Sequence, residues 1–346
     1  MGDAIQKTAI SSLQEVRNLI KELPGPDLES LKKVALHDAQ LTKPMGSLGK
    51  LETLVEWLAS WQAQYPPRLN HPRTSVFAGN HGVAKYGVSA FPSSVTSEMV
   101  KNFVEGGAAV NQLCKTFDAD LRVYELGLEQ PTSDFTTEPA MTEEDCVRAM
   151  AYGMMAIEPG LDVICIGEMG IGNTTSAAAV SMGLFGGKAE EWVGRGTGIT
   201  PETLEKKIKL VQAAVDFHLP QTEDPLSIFA ALGGLELAAI IGTIIAARLA
   251  RVPVILDGFA CTASAAVLFA LDPTTIDHCM VAHRSVEPGH TKLLELMCKD
   301  PLFDLGLRLG EASGATLALG ILKAAVNCHT GMATFSSAGI SGPESG

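Results

Sequence analysis

No two cysteines in this chain are spaced as Cys-x-x-Cys, although seven are present: Cys114, Cys146, Cys165, Cys261, Cys279, Cys298 and Cys328. An odd number at irregular spacing argues against a disulfide framework or a zinc ribbon. Most sit in apolar context, as buried free thiols do. A reducing cytoplasm is the compartment expected. A signal-peptide pattern is lacking too, because Asp3, Lys7, Glu15 and Arg17 break any apolar run. Basic charge is scarce: the net charge is −13, which argues against nucleic acid as the main partner. An acidic chain can still hold a phosphate locally through backbone amides. The longest apolar stretch, Phe229 to Ala250, is interrupted by Glu236 and Arg248. Its uninterrupted part falls short of the ~20 residues a bilayer needs, so it reads as a buried helix and no membrane association is expected. Also missing are HExxH, GxSxG, a P-loop Gly-Lys-Ser/Thr and a GxGxxG fingerprint.

What is there is an ample apolar complement, 46% of 346 residues, enough for one large domain or two smaller ones. Residues from about Ala4 to Gln62 read as polar helices, broken at Pro24-Gly25-Pro26 and Lys43–Gly49. Six short strand-like runs follow: Ser75–Ala78, Leu121–Glu125, Val163–Ile166, Trp192–Val193, Val252–Leu256 and His278–Ala282. Helical segments lie between them, among them Val95–Phe117, Ser176–Phe185, Pro201–His218 and Leu235–Ala250. Alternating strands and helices predict an α/β fold with a parallel sheet covered on both faces. The tail from Ser336 to Gly346 is small and polar.

The strand exits carry the chemistry. They read Gly79-Asn80-His81-Gly82, Gly127, Gly167-Glu168, Gly194-Arg195-Gly196, Asp257-Gly258 and His283-Arg284-Ser285. Ligands of open α/β sheets bind beyond the carboxyl ends of the strands. A crevice rimmed by Asn80, His81, Glu168, Arg195, Asp257 and Ser285 is therefore the expected active site. Within it, Cys165-Ile166-Gly167-Glu168-Met169-Gly170-Ile171-Gly172-Asn173-Thr174-Thr175 reads as strand, glycine-rich turn and helix start. That arrangement aims bare N–H groups at one point and suits an anion, though tight packing alone explains such a turn equally well. Glu168 is a poor phosphate ligand, so it points to a hydroxyl or a cationic ring instead. Gly194–Pro201 is a second such turn, with Thr200 as N-cap; Lys206 or Lys207 could swing back to a phosphate or simply be solvated. His81 fits an acid–base or donor role, and equally a structural one. Glu311, among small residues in Leu309-Gly310-Glu311-Ala312-Ser313-Gly314-Ala315, reads either as a general base of raised pKa or as a helix N-terminal acid. Enzymes that use phosphoribosyl pyrophosphate place two adjacent acids after a strand to hold magnesium; Leu256-Asp257-Gly258 has one. A sugar-phosphate substrate here would need no metal to release its leaving group, and no cofactor is expected.

Taken together, six segments resemble the nicotinate-nucleotide–dimethylbenzimidazole phosphoribosyltransferases. They are Lys43–Glu52, Asn80-His81-Gly82-Val83, Gly167–Thr175, Leu256-Asp257-Gly258-Phe259, Ser285-Val286-Glu287-Pro288-Gly289-His290 and Leu309–Ala315, in family order across most of the chain. The resemblance implies transfer of phosphoribose from nicotinate mononucleotide to dimethylbenzimidazole, giving α-ribazole phosphate and nicotinate for the lower ligand of cobalamin. It implies a Rossmann-like sheet, a large α/β domain over 63–289, a small helical domain from 1–62 and about 290–346, and a homodimer. Glu311 matches the family's general base and Glu168 a second active-site carboxylate. Gly170, Lys207 and Ser285 match positions around the nucleotide phosphate, and Gly172, Asn173 and Gly196 are grouped with them from the two turns. Asn80, His81, Phe91 and Met99 fall where the family builds its base pocket. Two departures stand out: many members carry Asp at the place of Asn80, and the place of Met99 is polar in some. The competing readings are another nucleotide or sugar-phosphate enzyme, such as a nucleoside phosphorylase, and a non-catalytic nucleotide sensor.

Overall fold

A computed structural model describes residues 10–341. Five strands form one parallel sheet: β1 (Pro72–Gly79), β2 (Asp120–Leu126), β3 (Val163–Met169), β4 (Val254–Leu256) and β5 (Cys279–Val281). Their order is β2-β1-β3-β4-β5. The α/β class and the parallel sheet are as expected, with one strand fewer. The sixth run, Trp192–Val193, does not pair. Residues Ala189–Trp192 form a single helical turn instead. The Glu191 carboxylate accepts from the Lys188 N–H at 2.7 Å and caps that turn, while the Trp192 indole donates to the Gly186 carbonyl at 2.8 Å. Packing of the turn buries this apolar pair, and two apolar residues have no periodicity by which strand and helix differ.

Glycine also divides two segments expected as single helices. Val95–Phe117 is Ser94–Glu105 followed by Ala109–Phe117, because Gly106 turns left-handed at φ +83° and Gly107 closes back onto the Asn102 carbonyl at 2.9 Å. The long apolar run is Pro225–Leu232 and Leu235–Leu249, parted at Gly233-Gly234 and buried over most of its length. Among the described residues, no helix is long and apolar enough to cross a membrane. Pro201–His218 has the expected bounds, with Thr200 capping the Thr203 N–H. The N-terminal region forms Leu13–Ile20, Leu28–Asp38 and Lys50–Gln62, with breaks where the prolines and glycines stand. Residues 4–9 of the expected helical region and 342–346 of the polar tail lie outside the described residues.

Side chains of β3 alternate between two cores, as the two-residue period of a strand requires. Val163 and Cys165 join Leu54, Leu58, Leu319 and Leu322 on one face. Ile164 and Ile166 join Ile240, Val267 and Phe229 on the other. The first face is covered by the helices Lys50–Gln62 and Ser313–Gly331, from opposite ends of the chain. Those ends are tied by the Leu41–Thr334 bridge and by the Phe335 N–H donating to the Gln40 carbonyl at 2.9 Å. Sequential order runs outward in opposite directions from the β1–β3 pair, so the switch-point crevice opens at the carboxyl ends of those two strands.

Candidate active site

A cavity of about 640 Å³ occupies that crevice. A larger one, about 970 Å³, lies beside residues 125–149. It lacks a glycine-rich turn, and of its acids Glu125, Glu138 and Glu143 are solvent-exposed and Asp145 partly so. The smaller cavity is the candidate site because buried carboxylates and helix N-termini converge on it.

Its glycine-rich wall begins where β3 ends. Gly170, Ile171 and Gly172 turn the chain, Gly172 adopts φ +101°, and the helix Asn173–Phe185 starts beneath. Gly258, Phe259 and Ala260 bring the N-terminus of the helix Phe259–Leu271 to the same space. Two helix N-termini concentrate N–H groups and positive dipole ends there. Gly196, Thr197 and Ser285 extend the wall. Lys207 is buried directly behind it, its ammonium donating to Thr174 Oγ1 at 2.9 Å and to the Gly194 carbonyl at 3.2 Å. Burial lowers its pKa to about 8, against the opposing pull of Glu287.

Three carboxylates line the same cavity, Glu168, Glu287 and Glu311, and two of them have strongly raised pKa values. Glu168, at the end of β3, accepts a hydrogen bond from the Asn173 amide. Burial, then the charges of Asp257, Glu236 and Glu311, raise its pKa to about 8. Glu311 is raised to about 7, first by burial and then by Asp257. It sits in an unusual backbone: Gly310, Glu311 and Ala312 all have positive φ, +80°, +60° and +58°. Two successive non-glycine residues in that region are strained, and such strain gathers at functional sites. The turn is fastened to β3 by the Glu311 N–H donating to the Glu168 carbonyl at 3.2 Å. It lies so close that a Cβ on Gly167 would run into the backbone of Ala312.

Val88, Phe91, Val95 and Met99 add an apolar surface to the lining, with Phe91 half exposed. Of the residues singled out from the sequence, Glu168, Gly170, Gly172, Asn173, Gly196, Ser285, Glu311, Phe91 and Met99 therefore line one cavity. Lys207 stands just behind it. Asn80 and His81 do not line it. The Asn80 amide donates to the Leu128 carbonyl at 2.9 Å, holding the loop after β2. The His81 imidazole pairs with Glu236 at 2.6 Å, both side chains shut from solvent. That pair lies under the Gly170–Gly172 turn, within 3.5 Å of where a Gly170 Cβ would stand. Arg195 is exposed and lies off the cavity lining.

Comparison with known proteins decides the family. The family model described as Phosphoribosyltransferase matches residues 23–340. The nicotinate-nucleotide–dimethylbenzimidazole phosphoribosyltransferase of Brucella anthropi is 55% identical over 328 residues, 95% of this chain and 97% of that protein. The chain belongs to this phosphoribosyltransferase family. A relative of the same name from Rhizobium meliloti is 53% identical over 330 residues, 95% of this chain and 97% of its own length. Among solved structures, CobT from Thermus thermophilus superposes with a TM-score of 0.85 at 40% identity, over 91% of this chain and 100% of that one.

Sequence reasoning about this phosphoribosyltransferase missed four cavity or support residues. Glu236 was visible only as an acid breaking an apolar run, which is the signal of a buried polar partner. Glu287 and His283 stood inside or beside a noted segment without a distinguishing pattern. Arg308, on the cavity rim, donates to the Gly196 carbonyl at 3.3 Å.

Proposed function

We propose that this chain transfers phosphoribose from nicotinate mononucleotide to 5,6-dimethylbenzimidazole, giving α-ribazole 5′-phosphate and nicotinate. The observation that carries this reading is the pairing, in one cavity, of an anion-binding turn with two buried carboxylates poised near neutral pH. One ring nitrogen of the benzimidazole attacks C1′ from the face opposite nicotinate, inverting that carbon. Glu311 takes the proton from the other ring nitrogen and leaves the attacking one more nucleophilic. A base of pKa about 7 is half available at neutral pH and still able to hold a proton. Nicotinate departs from a cationic pyridinium, so the leaving ring becomes neutral at nitrogen without a metal. Glu168 is the second carboxylate facing the reacting ring or ribose. Gly170, Gly172, Asn173, Gly196 and Ser285, backed by Lys207, receive the nucleotide and its phosphate; Phe91 and Met99 hold the aromatic base, with Asn80 and His81 supporting from below.

Two further features belong to this proposal. The chain acts as a homodimer in the cytoplasm, and the described parts of 1–62 and about 290–346 make up a small helical domain beside the 63–289 body. The backbone bonds between residues 40–42 and 333–335 support the joining of the two chain ends in one unit. The test is an assay of nicotinate mononucleotide against a panel of bases with the product anomer identified. Nicotinate release that needs a benzimidazole and yields the α-anomer supports the proposal. Release driven by inorganic phosphate alone would convert the reading to a phosphorylase.

A further inference from the structure

One buried acid in the cavity wall has no part in the reaction just described. Glu287 is 6% exposed and lines the cavity between Ser285 and Gly196. Its Oε1 accepts from the Gly196 N–H at 2.8 Å, and its own N–H donates to Ser285 Oγ at 3.4 Å. Its Oε2 is shut from solvent with no hydrogen-bond partner among the described residues. Gly194 is a glycine because a Cβ there would run into this carboxylate. Lys207 supplies a compensating charge from behind the wall.

A buried carboxylate oxygen left without a donor costs free energy until something donates to it. Phosphate cannot, since it brings only acceptors and like charge. A hydroxyl can, and carboxylates accept from ribose hydroxyls in other nucleotide sites. The glutamate's terminal torsion is soft, so rotation about it can turn Oε2 from its place against Gly194 to the cavity. We infer that Glu287 receives the ribose hydroxyls of the nucleotide and makes the site selective for ribosyl over deoxyribosyl substrates. This rests on the nucleotide reading above, and it adds the sugar to what that reading recognises. The same carboxylate holds the Gly196 N–H, so the sugar and the turn on the phosphate side are fixed by one group.

The test compares binding of nicotinate mononucleotide with its 2′-deoxy and 3′-deoxy forms by calorimetry, with dimethylbenzimidazole turnover followed in parallel. Wild type should bind at least one deoxy form about 10-fold or more weakly, the scale of leaving a buried acceptor unpaired. Glu287→Gln should shrink that ratio several-fold, and Glu287→Ala should bring it close to one. Equal binding of all three nucleotides by wild type would overturn the inference even if neither variant folds. An unchanged ratio in folded Glu287→Gln and Glu287→Ala would also overturn it. Failure of the nucleotide reading looks different, because nicotinate mononucleotide itself then neither binds nor turns over.

Discussion

At the scale of single residues, Glu311 carries the sharpest expectation. Replacing it with Gln keeps the size and the strained turn but removes the proton acceptor. Turnover should fall roughly 10²–10⁴-fold, the usual contribution of a placed general base, while nicotinate mononucleotide binds almost as before. Steady-state kinetics beside calorimetry separate the two, and full activity in the variant would end the general-base assignment. The pH dependence of kcat/KM follows from the same groups. With Glu311 as the proposed base, activity needs it ionised and should rise as pH passes about 7. Above about 8 Glu168 loses its proton, adding negative charge to the cavity, and Lys207 loses the charge proposed to back the phosphate, so activity should fall again. The expected profile is a narrow bell peaking between those limbs, with limbs that belong to the coupled set of acids. A flat profile from pH 6 to 9 would contradict it. Asn80 illustrates the opposite lesson. Its amide donates to a carbonyl, a bond an ionised aspartate cannot make, so the asparagine here is explained by loop anchoring.

At the scale of elements, the site depends on the strained Gly310–Ala312 turn lying flat on β3. Gly167→Ala places a methyl group against the Ala312 backbone, which cannot swing aside as a side-chain tip would. The expected cost is roughly 1–3 kcal/mol of stability. It should come with a loss of activity larger than the loss of folded protein, because Glu311 rides on the displaced turn. Thermal melts read against specific activity check this, and wild-type activity in the variant would refute the coupling. The same element shows what a sequence can convey. The glycines and Glu168 of Gly167–Thr175 were legible because strand, turn and helix signals are local. That Gly167 exists to admit a turn 145 residues away was not, since the contact is made only by the fold. His81 was misplaced for a related reason. Its partner Glu236 is 155 positions distant, and the pair buries a ring that strand-exit logic puts in the cavity. Trp192–Val193 failed on length alone, and Gly106 split a helix whose apolar period continued through it.

Across the whole molecule, the two buried acids proposed to serve catalysis should leave a mark on stability. Glu168 and Glu311 have folded pKa values of about 8 and about 7, above the ordinary carboxylate value of 4.5. Each therefore favours the folded state below pH 4.5 and progressively withdraws that support as pH rises towards and through its folded pKa. His278 and His290, held neutral by burial with pKa near 3, act in the other direction. They cost nothing above their ordinary 6.5 and destabilise as pH falls below it. Between about 4.5 and 6.5 the two pairs oppose each other and stability stays level. From 6.5 to 8 only the acids act, at about 1.4 kcal/mol per pH unit for each that remains protonated. Thermal midpoints should thus fall across that window in wild type. Glu168→Gln removes the group with the higher pKa, so its midpoint should exceed that of wild type at pH 8 and converge with it near pH 5. Calorimetric melts of both proteins from pH 5 to 8.5 decide the matter, and parallel curves would show that Glu168 is not the acid that couples the active site to the stability of the fold.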